Sequence, residues 1–273
     1  MIDCGEGAQL QLMKYDVHMH RIDHIFISHL HGDHYLGLMG LLFTLHLNRR
    51  ATDLHLYSHK GLDEIITTQL RYSKSALNFK IVFHTLTPEK QEIIFEDKHL
   101  TVETIPLSHK IACSGFLIRE KNKPRRIDKD KLPQGLLIQQ LVDLKNGADV
   151  VDQNTGAVLY KNEDLTLPPR KSRSYAYCSD TQYYEGLVKQ VQDVDVLYHE
   201  ATFTQEDEEK ASETMHSTAR QAAHIAQQAT VKKLLIGHFS ARYKELSPLL
   251  NEAVTVFPNT YLAQEGNTFT IDE

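Results

Sequence analysis

Ile25-Phe26-Ile27-Ser28-His29-Leu30-His31-Gly32-Asp33-His34 is the stretch on which the reading of this chain turns. Residues 23–28 form a short apolar run ending in polar residues, the pattern of a β-strand. His29, His31, Asp33 and His34 then place four metal-binding side chains within six residues. On a turn at a strand end these four cannot all face one point. Alternate residues can serve one ion while the next pair serves a second, and Gly32 permits the sharp backbone turn between them. Imidazole nitrogen with carboxylate oxygen suits zinc best among the common divalent ions, with manganese or iron also compatible.

Single residues further along supply what a paired site still lacks. His109 follows the apolar run 100–107, Asp180 follows 175–179, and His238 follows 233–236. Each alone is an ordinary polar residue at a strand exit, but all three occupy the same topological place as the first cluster. Further strands are expected at 54–57, 81–86, 92–95, 114–118, 194–198 and 259–263. Helices are expected at 36–47 (buried on most sides), 61–72, 183–192, 218–229 and 246–253. Strands dominate the first half and alternate with helices in the second, which predicts a layered α/β protein with helices outside two sheets. Residues 121–169 have weak periodicity and scattered turn signals such as Asn146-Gly147. They read as an insertion with a helix at 133–144 and a small hairpin.

Composition bounds the rest. The chain has 273 residues, 41% hydrophobic and 24% charged, ordinary values for one globular domain of this length. Its longest apolar run, 36–47, contains Thr44 and His46 and is too short to span a bilayer. Three widely spaced cysteines exclude a disulfide framework, and no basic-then-apolar leader opens the sequence. A soluble, cytoplasmic protein is expected. The net charge of −6 argues on its face against a nucleic-acid partner. Residues 118–173, however, carry 12 Lys/Arg against 8 Asp/Glu, with basic knots at Arg119 to Arg126 and at Arg170, Lys171 and Arg173.

The His29-to-His34 motif, followed in order by His109, Asp180 and His238, resembles the metallo-β-lactamase superfamily, whose fold is an αββα sandwich with a two-metal site on one edge. Within it the chain is similar to the ribonuclease Z family of tRNA 3′-processing endonucleases. Asp3-Cys4-Gly5-Glu6-Gly7, the Pro169-x-Lys171-x-Arg173 loop, His199-Glu200-Ala201-Thr202 and His216-Ser217-Thr218 carry that narrower likeness. Two features depart from the family pattern. Two strands and a Gly-rich turn that precede the Asp-Cys-Gly segment are missing, and the inserted arm lacks a Gly-Pro pair at Leu132-Pro133-Gln134-Gly135.

The resemblance implies a set of roles. His29, His31 and His109 would hold one zinc ion, Asp33, His34 and His238 a second, and Asp180 would bridge them. Asp33 would also accept the proton of the attacking water. His216 would protonate the departing ribose 3′-oxygen, with Glu200 orienting it. The arm, 119–169, would clasp precursor tRNA, commonly from the partner of a homodimer, with Arg125, Arg126, Arg170, Lys171 and Arg173 as phosphate-binding candidates. Two other readings share the ligands: a different dinuclear hydrolase of the fold, such as a small phosphodiesterase or lactonase, and an inactive, shortened tRNA-binding protein. The first has no use for the basic arm or the Glu200/His216 pair. Only the short start favours the second.

Overall fold

The computed structural model describes residues 1–272. Three parallel strands form a small sheet: β1 (His24–Phe26), β2 (Leu54–Ser58) and β3 (Ile81–Thr85). The large sheet begins with the antiparallel strands β4 (Ile93–Glu96), β5 (Leu100–Pro106) and β6 (Ser114–Glu120). Two short two-stranded ladders then lie in the insertion, β7 (Arg126–Ile127) with β10 (Thr166–Leu167) and β8 (Val150–Val151) with β9 (Val158–Tyr160). The large sheet resumes with parallel strands β11 (Ser174–Cys178), β12 (Val196–Glu200), β13 (Lys233–Gly237) and β14 (Thr260–Leu262), in the order β14-β13-β12-β11-β6-β5-β4.

Strand alternation builds the layers. On β1 and β2, Ile25, Leu54 and Leu56 point outward to Leu38, Leu41, Leu42 and Leu45 of one helix and to Leu62 and Ile66 of another. Phe26 and Tyr57 point inward, where they meet Val102 and Phe116 of the large sheet. Leu117, one residue beyond Phe116, faces the opposite way, into a core closed by Ala222, Ala223, Ile225 and Ala226. The order is therefore helix, sheet, sheet, helix. The alanine-rich helix lets its backbone lie close to the sheet, and Thr218 caps its start reciprocally with Gln221.

The helices are α1 (Ala8–Lys14), α2 (Gly32–Tyr35), α3 (Leu38–Leu47), α4 (Leu62–Tyr72), α5 (Ile138–Lys145), α6 (Asn162–Leu165), α7 (Gly186–Gln190), α8 (Glu208–Thr214), α9 (Ala219–Gln228) and α10 (Ser247–Val256). Several differ from the sequence expectation. The helix expected at 36–47 is α3, which starts two residues later, and a further short helix, α2, precedes it inside the histidine motif. Within α3, Leu38, Leu41, Leu42 and Leu45 are buried and only Leu47 is exposed, in keeping with a helix covered on most sides. The helix expected at 133–144 begins only at Ile138, because Gly135 takes a left-handed φ of 88°. The one expected at 183–192 shortens to α7. Helices α1 and α8 had no strong sequence signal, since α1 has no fully buried side chain, only Ala8 and Leu12 packing in part against the core, and α8 buries only Ala211.

The insertion leaves β6 after Glu120 and closes on a small core of its own, Leu144, Val150 and Leu165 packed by Ile127, Leu136 and Leu141. At its base Lys171 pairs with Asp195, while Arg173 pairs with Glu120, its Nε donating at 3.1 Å. Burial of the paired Asp195 carboxylate is offset by Lys171 and the Ser174 amide, which hold its pKa below the usual range.

Candidate metal centre

Two antiparallel steps, from β5 to β6 and from β6 to β11, leave β5 running in the same direction as β11, β12 and β13. The ends of these four strands therefore share one edge of the large sheet. His109, Asp180, Glu200 and His238 sit at those ends, and the His29-to-His34 turn arrives from β1.

All seven expected ligands converge there. His29, His31, His109 and Asp180 form one group, and Asp33, His34 and His238 another, with the donor atoms of each group within 4.8 Å of one another. In the first, His31 Nδ1 lies 3.1 Å from His29 Nε2 and 3.2 Å from His109 Nε2. Asp180 divides its two oxygens between the groups. Oδ2 lies 3.5 Å from His29 Nε2 and 3.8 Å from His109 Nε2, while Oδ1 lies 3.5 Å from His34 Nε2 and 3.2 Å from His238 Nε2. A carboxylate split in this way is what bridging two cations requires.

The electrostatics fit cation binding. Burial opposes ionisation of Asp180, but the His29 and His34 rings, each 3.5 Å from one of its oxygens, hold its pKa far below the carboxylate range. A hydrogen bond from His238 does the same for Asp33. Burial alone would lower His34, yet its bonds to Asp180 and Asp3 outweigh it and raise the ring to about 10. His238 is raised as well, against its burial, by Asp33 and Asp180. Burial lowers His31 and His109. His34 Nε2 is buried without a hydrogen-bond partner of good geometry, an unsatisfied nitrogen facing two carboxylates. A divalent ion satisfies such an atom, and the imidazole–carboxylate donor set fits one.

A second ring of partners orients the ligands. Ser28 Oγ meets His29 Nδ1 at 3.0 Å, Asp3 Oδ2 meets His34 Nδ1 at 2.8 Å, the Met215 carbonyl meets His109 Nδ1 at 3.0 Å, and Thr202 Oγ1 meets His238 Nδ1 at 3.0 Å. Each fixes the imidazole's tautomer and angle. Sequence reasoning gave no role to Ser28, Asp3 or Thr202. Asp3 also accepts from the Ser28 amide and the Tyr177 hydroxyl. The adjoining Gly5 is required by packing, since a Cβ there would stand 2.3 Å from the Asp33 carbonyl oxygen.

Glu200 and His216 meet as expected. His216 Nδ1 lies 2.8 Å from Glu200 Oε1, and its ring lies 5.4 Å from that of His238 and 5.1 Å from that of His109. Glu200 is fully buried and also accepts from the Thr181 amide, the Thr202 amide and Thr202 Oγ1. His216 follows no strand, yet it approaches Asp180 and His238 closely enough to form a third potential ligand group. Of the RNA-binding candidates, Arg125, Arg126 and Arg170 line one cavity of about 630 Å³ with Lys123, Lys129 and Lys145. Lys171 and Arg173 are held in the ion pairs at the base of the arm instead.

Two family models match the chain: "Anti-Pycsar protein Apyc1" over residues 1–146 and "Beta-lactamase superfamily domain" over 164–239. The chain is 48% identical to the ribonuclease Z of Bacteroides thetaiotaomicron, covering 100% of this chain and 86% of that protein. It is 47% identical to the ribonuclease Z of Cytophaga hutchinsonii, covering 100% and 87%. Among solved structures, human tRNase Z, short form, superposes with a TM-score of 0.70 at 28% identity, covering 100% of this chain and 88% of that one. The metallo-β-lactamase fold protein YhfI of Bacillus subtilis superposes at 0.64 with 18% identity, covering 97% and 84%, and shares the fold.

Proposed function

The chain belongs to the ribonuclease Z family, and on that footing we propose that it is a metal-dependent endoribonuclease that removes the 3′ trailer from precursor tRNA. The observation that carries this reading is the division of Asp180 between two imidazole groups beside the Glu200–His216 pair. His29, His31 and His109 would hold one zinc ion, Asp33, His34 and His238 a second, and Asp180 would belong to both, with manganese the alternative metal. When bound, such ions supply Lewis acidity toward phosphate oxygens and lower the pKa of water.

The chain's own residues supply the rest. Asp33, kept ionised by His238, has a largely exposed carboxylate and accepts the proton of the attacking water. As the P–O3′ bond breaks, the ribose oxygen needs a proton. His216 provides it from Nε2, because Nδ1 is held by Glu200. The products are a tRNA 3′-hydroxyl and a trailer with a 5′-phosphate. Ser28, Asp3, Thr202 and the Met215 carbonyl keep the imidazoles aimed throughout. Arg125, Arg126 and Arg170 take RNA phosphates along the arm, where the cationic cavity supports binding remote from the acidic body. A cytoplasmic homodimer, each arm serving the partner's centre, completes the proposal. Three free, buried cysteines accord with a reducing compartment, and no helix of the described residues is long and apolar enough to cross a membrane.

Incubating metal-loaded protein with a 3′-extended tRNA transcript and determining the new ends tests the reading. A single cut with a 3′-hydroxyl on the tRNA is expected. Hydrolysis of small phosphodiesters without RNA cleavage would favour another dinuclear hydrolase of the fold.

A further inference from the structure

We propose that the cavity beside His216, between α8, α9 and residues 182–183, seats the base of the nucleotide whose 3′-oxygen departs, and that it selects bases carrying an exocyclic amino group. The inference rests on the endonuclease reading and adds a substrate preference to it. Because Glu200 holds Nδ1, only Nε2 of His216 can reach the leaving oxygen. The ribose bearing that oxygen must then stand against this ring, and its base enters whatever space adjoins it. A cavity of about 470 Å³ lies there, lined by Gln182, Tyr183, Glu208, Glu209, Ser212 and Gln221 along with His216. That volume is in the range of small-molecule sites.

The lining decides what fits. It contains no lysine or arginine, and its two carboxylates repel phosphate, so the cavity suits an uncharged base. The cavity beside His109, by comparison, has one lysine, Lys110, and one glutamate, Glu89. Glu208 is already engaged, its oxygens accepting from Gln205 Nε2 at 2.6 Å and Gln221 Nε2 at 3.0 Å. Glu209 is exposed and has no hydrogen bond or ion pair among the described residues, so its carboxylate is open to a base that enters the cavity. A carboxylate recognises the amino group of cytosine in this way, and adenine and guanine also present amino groups, whereas uracil presents carbonyl oxygens there. The Tyr183 ring on the cavity wall offers a face on which any base can stack.

The test uses four precursor tRNAs differing only in the nucleotide 5′ to the cut, with kcat/KM normalised to hydrolysis of bis(p-nitrophenyl) phosphate by the same enzyme. Wild-type protein should cleave the A, C and G substrates about tenfold faster than the U substrate, the discrimination of one base contact. Glu209→Gln should flatten that order, and Tyr183→Ala should lower cleavage of all four. If wild-type protein shows no base order, or Glu209→Gln retains it, this inference is overturned while the endonuclease reading stands. If none of the four RNAs is cut although the small diester is hydrolysed, the endonuclease reading itself fails and takes this one with it.

Discussion

Replacing His216 with alanine should separate leaving-group protonation from metal binding. Glu200 loses one of its four donors but keeps the Thr181 amide, the Thr202 amide and Thr202 Oγ1, so its buried charge remains solvated by the protein. The stability cost is that of one hydrogen bond to a charged group, about 1.5–3 kcal/mol, which a domain of ordinary stability survives. RNA cleavage should fall by about 10²–10⁴-fold, or ~2.7–5.4 kcal/mol of barrier. A p-nitrophenyl diester, whose leaving group needs no proton, should be affected far less. Both rates are measured on the same preparation together with its metal content by atomic emission, because His216 also lies near Asp180 and His238. Loss of an ion, or equal loss on both substrates, would refute the assignment of His216 as the acid. Glu200→Ala is a poorer probe of the same pair. It orphans two buried backbone amides, at about 1–3 kcal/mol each, so Glu200→Gln is the variant to compare.

Asp180→Ala should weaken binding of both ions together, read as the loss of both equivalents after dialysis at limiting metal; retention of one at wild-type affinity would exclude a bridging role. Metal uptake at pH 7 should release about one proton per chain from His34, which is held near 10 without metal, so apparent affinity should rise between pH 6 and 9. Calorimetry in buffers of different ionisation enthalpy reads that release, and none at all would contradict the His34 assignment. Arg125→Glu with Arg126→Glu should weaken tRNA binding and flatten its salt dependence by ~0.7–0.9 log units of slope for every phosphate no longer neutralised, with an unchanged slope meaning that neither arginine meets RNA.

What the sequence made legible follows from how each signal is encoded. The ligands could be read because a strand carries side chains to one edge of a sheet, so a histidine or aspartate just past an apolar run already has an address. The layers were legible from the order of elements, strands dominating the first half and alternating with helices in the second. Asp3, Ser28 and Thr202 were not legible as orienting groups. Their role depends on contacts such as Asp3 to His34, 31 residues apart, or Thr202 to His238, 36 apart, which no local pattern records. Helix α8 was missed because it lies on the surface with hardly any apolar stripe, although it forms one wall of the cavity beside His216. The basic segment was visible as charge. Sequence could not show that Lys171 and Arg173 fasten the arm while Arg125, Arg126 and Arg170 face a cavity, because that division depends on Asp195 and Glu120 lying across the fold.

Stripping the protein with chelator and titrating zinc back while following cleavage of a 3′-extended tRNA tests the central claim most directly. The account predicts no cleavage without metal and a rate that climbs until two equivalents per chain are bound. A rate that saturates at one equivalent, or that survives complete removal of metal, would contradict a paired centre built from these seven residues.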